Sequence, residues 1–83
     1  MEHYLMIARS VTYAQRMEKA LSLAGIRSQI FRAPKELTSM GCAYAVKLGG
    51  PNLGAALAVL HRAGVDPIRI FISQPGGYRE VVL

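Results

Sequence analysis

Twice in this chain an apolar helical stretch closes on the same short signature. Leu21-Ser22-Leu23-Ala24-Gly25-Ile26 is echoed by Leu60-His61-Arg62-Ala63-Gly64-Val65. Each is followed by an Ile-Phe pair, Ile30-Phe31 and Ile70-Phe71, with one more residue in the second copy. Glycine just past a helix adopts the left-handed conformation that ends it. A helix, a glycine stop and an apolar strand, used twice, are what a split β-α-β fold requires.

The remaining segments fall into place around that echo. His3 to Arg9 carries two apolar alternating sets, Leu5-Ile7-Arg9 and Tyr4-Met6-Ala8, which predicts a central strand covered on both faces. Ser10 stands where a helix N-cap belongs. Ala14, Met17, Leu21 and Ala24 recur at helical spacing, so Val11 to Ala24 reads as an amphipathic helix. A second strand, Ile26 to Ala33, is stopped by Pro34, which has no N–H for a ladder. A loop over 34–41 leads into a third strand, Cys42 to Leu48. The turn Gly49-Gly50-Pro51-Asn52 opens a second helix with the stripe Leu53, Ala56, Leu57 and Leu60. Asp66-Pro67 turns the chain into a fourth strand, Ile68 to Ser73. After Gln74-Pro75-Gly76-Gly77, a short extra strand over Tyr78 to Val82 is expected to pair back on the fourth. The order βαββαβ predicts an α+β, ferredoxin-like sandwich: one domain over 1–83, two helices on one face of a four-stranded antiparallel sheet.

Composition limits the chemistry. At 83 residues and 52% hydrophobic the chain can bury one core. Its one cysteine, Cys42, excludes an internal disulfide, a CxxC redox pair and a multi-cysteine zinc site. With only His3 and His61 beside it, metal ligands are scarce, and no metal or cofactor is expected. The start lacks the basic residues of a signal peptide and no apolar run could span a membrane, so a cytoplasmic protein with no membrane partner is expected. The carboxylates Glu2, Glu18, Glu36, Asp66 and Glu80 are scattered, which argues against a hydrolase. Gly49-Gly50 lacks the spacing of a nucleotide-binding loop.

A formal charge of +5 favours an acidic partner or nucleic acid, although a solvated surface is the commoner reason for such a balance. RNA-recognition modules share the expected topology, but they stack bases on aromatics of the two central strands, and here Tyr4 alone would serve. Nucleic acid is therefore not the expected partner. The open sheet face is expected to hold Tyr4, Met6, Phe31, Ala43, Ala45 and Phe71. So apolar a face would suit a homodimer, or a non-catalytic interaction or small-ligand-sensing module in which Cys42 is structural. His61 reads as a surface residue, and Tyr13 and Tyr44 as packing residues.

Topology gathers the remaining candidates. In the expected fold the third strand lies between the first and second and opposes both. Its start then sits beside the ends of those strands and the start of the first helix. Arg9, Ser10, Arg32 and Cys42 meet there, with Leu5-Ile7-Arg9, Ile30-Arg32 and Cys42-Tyr44-Val46 as the helix-facing sets. A helix N-terminus and nearby guanidinium groups favour thiolate over thiol. The competing reading is a thiol packed as a small apolar residue while the arginines reach into solvent.

These residues also resemble a known family. Ser10-Val11-Thr12, Ala24-Gly25-Ile26, Pro34-Lys35-Glu36-Leu37-Thr38-Ser39, Cys42-Ala43 and Lys47 are similar to the pattern of small bacterial selenium/sulfur carrier protein-like domains over about residues 4–72. Ala43 stands where that family often has Gly. The resemblance implies a carrier rather than a true enzyme. Cys42 would take sulfur or selenium from a donor protein as a persulfide or selenosulfide and pass it to an acceptor protein. Arg9, Ser10, Arg32, Lys35 and Gly41 would stabilise the anion or let the backbone approach it.

Overall fold

The computed structural model describes residues 3–37, 43–49 and 52–82. The elements run β1 (His3–Ala8), α1 (Val11–Leu23), β2 (Ser28–Arg32), a one-turn 3₁₀ helix (Lys35–Leu37), β3 (Tyr44–Gly49), α2 (Leu53–Ala63), β4 (Arg69–Gln74) and β5 (Gly77–Glu80). They build an α+β domain with one sheet in the order β2-β3-β1-β4-β5, every neighbouring pair antiparallel. β3 does lie between β1 and β2. The expected extra strand makes the sheet five-stranded rather than four-stranded: the tail turns at Pro75-Gly76 and pairs with β4 from Gln74↔Gly77 to Phe71↔Glu80, over Gly77–Glu80 instead of Tyr78 to Val82.

Both echoed signatures are helix ends of one type. After α1, the Ile26 N–H donates to the Leu21 carbonyl (2.9 Å) and the Gly25 N–H to that of Ser22 (3.0 Å). After α2, Val65 donates to Leu60 (3.0 Å) and Gly64 to His61 (3.1 Å). This is the Schellman arrangement, in which a left-handed glycine lets two trailing N–H groups satisfy the helix's last carbonyls. Gly25 and Gly64 have φ of 79° and 74°. Ile26 therefore belongs to the cap, and β2 begins at Ser28 rather than Ile26.

The helices pack on one side of the sheet. Ala14, Met17 and Leu21 of α1 and Ala56 and Leu60 of α2 share a buried cluster with Met6, Ala8, Val46, Leu48 and Ile70. This corrects the expected parity of β1, whose helix-facing set is Tyr4-Met6-Ala8 and not Leu5-Ile7-Arg9. For the described residues of the expected sets in β2 and β3 the parity holds, since Ile30 and Tyr44 pack on the same cluster and pair in register with Val46 and Arg32, while Cys42 lies outside the described residues.

The opposite face is not bare. Leu5, Ile7, Ala33, Leu37, Ala43, Ala45 and Phe71 form a second buried cluster. Leu5 and Phe71 are only 3% and 8% exposed within the single chain. Tyr4 and Met6, expected on this face, lie on the helix side instead. Leu37 of the 3₁₀ turn, itself 6% exposed, belongs to this second cluster. The clustered residues are thus buried within the single chain, while Phe31, at 36% exposure, and Tyr78 of β5, at 39%, stay partly open on this face.

Candidate functional site

One end of the sheet gathers the expected site residues that the structure describes. Ala8 pairs with Tyr44, and Tyr44 with Arg32, so the last residues of β1 and β2 flank the first of β3 in a single row. The Ala33 N–H donates to the Ala43 carbonyl at 3.0 Å and carries the β2–β3 ladder one residue further. α1 starts at this end, directly after β1. Cys42 and Gly41 lie outside the described residues, and the described backbone resumes at Ala43.

Ser10 is the N-cap of α1. Its backbone is extended, with φ −154° and ψ 165°. Its Oγ accepts from the Tyr13 N–H at 3.1 Å, and its carbonyl accepts from Ala14 at 3.0 Å. Ser10 thus has a structural reason to be where it is, whatever else it does. The first turn of α1 contains no acidic residue. The partial positive charge of that helix end is therefore not neutralised from within its own first turn.

Arg9 lies just beyond β1 and is exposed. Its guanidinium carbon sits 5.5 Å from the centre of the Tyr13 ring, a cation–π contact. The expected grouping of Arg9 with the helix-facing residues of β1 fails with the parity of that strand. Arg9 nonetheless stays at this end because Tyr13, four residues on, holds it against the first turn of α1. Arg32 is exposed at the end of β2, on the helix-facing parity, opposite Tyr44. Lys35 is exposed in the 3₁₀ turn that follows.

Tyr13 has a part that its sequence position does not announce. Besides receiving Arg9, its hydroxyl donates to the Asp66 carbonyl at 2.8 Å. That bond ties the start of α1 to the turn between α2 and β4, a connection across 53 residues. The only sequence signal was helical spacing from Arg9, and it does not distinguish this role from packing. His61 is a surface residue as expected, with Nδ1 3.3 Å from an Asp66 carboxylate oxygen.

Taken together, this end presents three exposed cations, a helix N-terminus without internal acidic compensation, and the backbone leading to the chain's one thiol. Such an arrangement can hold an anion. Among the described residues no group of three His, Cys, Asp or Glu side chains comes together as a metal site, and no helix is long and apolar enough to cross a membrane.

A family model described as "Putative Se/S carrier protein-like" matches the chain over residues 3–72. That match takes in β1 to most of β4 and stops short of β5. No curated protein and no solved structure matches the chain.

Proposed function

The chain belongs to the Se/S carrier protein-like family, and from that premise we propose that it is a single-thiol carrier of sulfur or selenium working through Cys42. The observation that supports this reading most is the convergence of Arg9, Ser10, Arg32 and Lys35 at the sheet end from which β3 departs.

The chemistry is one transfer run twice. The Cys42 thiolate attacks the terminal sulfur of a donor persulfide, R–S–SH. The S–S electron pair leaves with the donor as R–S⁻, and Cys42 becomes Cys–S–SH, which ionises to Cys–S–S⁻. An acceptor thiolate then attacks that terminal sulfur, and Cys42 leaves as thiolate. Selenium follows the same balance from R–S–SeH. No second cysteine, general base or metal is needed, because the protein's task is to hold a thiolate ready and to stabilise the anion it becomes. Arg9, Arg32 and Lys35 supply full charge, and the α1 N-terminus adds its partial charge. Gly41 lets the backbone come close to the donor. A free thiol persists in a reducing compartment, so this reading goes with a cytoplasmic protein.

The fold reading that accompanies this function is ferredoxin-like. Its support is the order β4-β1-β3-β2 among the first four strands and the placement of both helices on one face. β5 is then an addition at the β4 edge.

The test has two arms. In the first, iodoacetamide alkylation of native protein is followed against pH. The inflection is expected well below the free-thiol value of about 8.5 and toward ~7. In the second, the protein is treated with glutathione persulfide and weighed intact. It should gain one sulfur that dithiothreitol removes, and Cys42→Ser should gain none. An inflection at the free-thiol value, or no labelling of native protein, leaves Cys42 a packed residue and ends the carrier reading.

A further inference from the structure

The sheet is open and has two edge strands, β2 and β5. Among the described residues no strand pairs with the outer side of β2, the edge that runs beside α1. Strand alternation shows which backbone groups face outward there. The Ala33 N–H points inward to Ala43, so Phe31 and Gln29, at the same parity, also turn their N–H and C=O toward β3. Ser28, Ile30 and Arg32 therefore direct theirs away from the sheet. Such a row is a template for another strand.

A groove runs beside this edge. One cleft of about 670 Å³ is bordered by Glu18 and Ser22 of α1 and by Ser28, Gln29 and Lys47 of the sheet. A second continues it past Ile30 and Phe31, again with Glu18 as the α1 wall. Glu18 makes no ion pair among the described residues, nor does Arg32. The Ser28 Oγ in this groove is buried with no hydrogen-bond partner among the described residues.

We propose that the outer edge of β2 pairs antiparallel with β2 of a second copy, joining two sheets across a two-fold axis at Ile30. The self-complementarity carries the choice of occupant. With Ile30 opposite the second copy's Ile30, Ser28 of each copy faces Arg32 of the other. The three outward-facing residues of each strand then exchange all their backbone hydrogen bonds. Arg32 and Ser28 share the helix-facing parity, so each Arg32 enters the other copy's groove beside Glu18. Glu18 and Arg32 of each copy then form two cross-copy ion pairs, in a cleft that Arg27 and Lys47 also border. On the other face Phe31 comes opposite Gln29, and its exposed ring is covered. Arg32 then belongs to the interface, and in the dimer the charge proposed for the Cys42 anion comes from Arg9, Lys35 and the α1 N-terminus without it. The proposal does not depend on the carrier reading, since its readouts are association and amide exchange.

Sedimentation equilibrium over a wide concentration range at physiological salt, with residue-resolved hydrogen exchange of the full chain, tests this. A dimer is expected in which the amides of Ser28, Ile30 and Arg32 gain protection as concentration rises. Ser28→Pro deletes one outward N–H and no β2–β3 bond, and should weaken the dimer at least tenfold. Glu18→Lys should weaken it comparably, and Glu18→Lys with Arg32→Glu should restore it, because the ion pairs reform with the signs exchanged. Unprotected amides at 28, 30 and 32 in a dimer would mean that β5 or another surface mediates it, and the proposal would be wrong. A strict monomer at millimolar concentration would overturn it equally. If the folded proline variant dimerises as tightly as the parent, or the double charge exchange fails to rescue, the pairing as drawn is refuted.

Discussion

Ser10 offers a way to separate the cost of holding α1 in place from the electrostatics of the thiol. Its Oγ accepts from the Tyr13 N–H at 3.1 Å, and that is the bond Ser10→Ala removes. Loss of a serine cap costs about 1 kcal/mol, within a range of roughly 0.5–2. In a domain of this size each kilocalorie lowers the melting temperature by about 4–8 °C. Ser10→Ala should therefore melt several degrees lower by circular dichroism. Aspartate caps as well as serine does, and its charge suits a helix start, so Ser10→Asp should retain the parent stability or gain about 0.3–1 kcal/mol. The thiol should respond in the opposite sense. A carboxylate at the α1 N-terminus opposes the field that favours the Cys42 thiolate. A helix terminus is worth about 0.3–1 kcal/mol, which is less than one pKa unit at 1.36 kcal/mol each. The alkylation inflection of Ser10→Asp should thus rise by a few tenths to about one unit, more at low salt than at high. A variant as stable as the parent with a shifted inflection is the expected signature. If Ser10→Ala melts with the parent, the cap does not hold the helix. If Ser10→Asp leaves the inflection where it was, the helix end does not act on the thiol, and the electrostatic account of Cys42 fails.

Two further substitutions probe the frame around the site. Leu37→Ala opens a hole in the second cluster beneath the 3₁₀ turn, where Leu37 is 6% exposed, and should cost about 2–5 kcal/mol in chemical denaturation; a loss below half a kilocalorie would mean that Leu37 does not anchor that turn. Gly64→Ala meets no atom within 4 Å but forces a side chain onto a backbone at φ 74°, so it should cost about 1–2 kcal/mol from conformation alone, and an unchanged denaturation midpoint would show that the left-handed cap is not required.

Element order and most element bounds were legible because helix stops, apolar spacing and turn residues all pointed the same way. Ser10 was readable as a cap, and the extra strand as a hairpin partner of β4. The face assignment of β1 was not. Leu5 and Ile7 are as apolar as Tyr4 and Met6, and a strand buried on both sides carries no alternation to read. That one ambiguity misplaced Arg9 and put Tyr4 and Met6 on the wrong face. Leu37 was hidden for a different reason. It is a single apolar residue inside a polar motif, and its burial comes from the fold around it rather than from any period. The Asp66 carbonyl that receives Tyr13 is a backbone group, and sequence marks no backbone acceptor. The echoed signatures were visible as a repeat, but their physical content is narrower than two equivalent halves: it is the same pair of capping hydrogen bonds made twice.

The position of β1 also bears on how the chain comes into being. Of the strands, β1 leaves the ribosome before the others, yet its ladder partners are β3 and β4. About 60 further residues must be added before β4 exists, an interval of roughly 3–12 s at ~5–20 residues per second. During that time α1 can wind, but the most apolar strand of the sheet has no neighbour on one side. Nascent chains halted before Arg69 should accordingly be sticky and bound by chaperones that recognise short apolar segments, while chains released after Gln74 should close quickly around a strand that has been waiting for them.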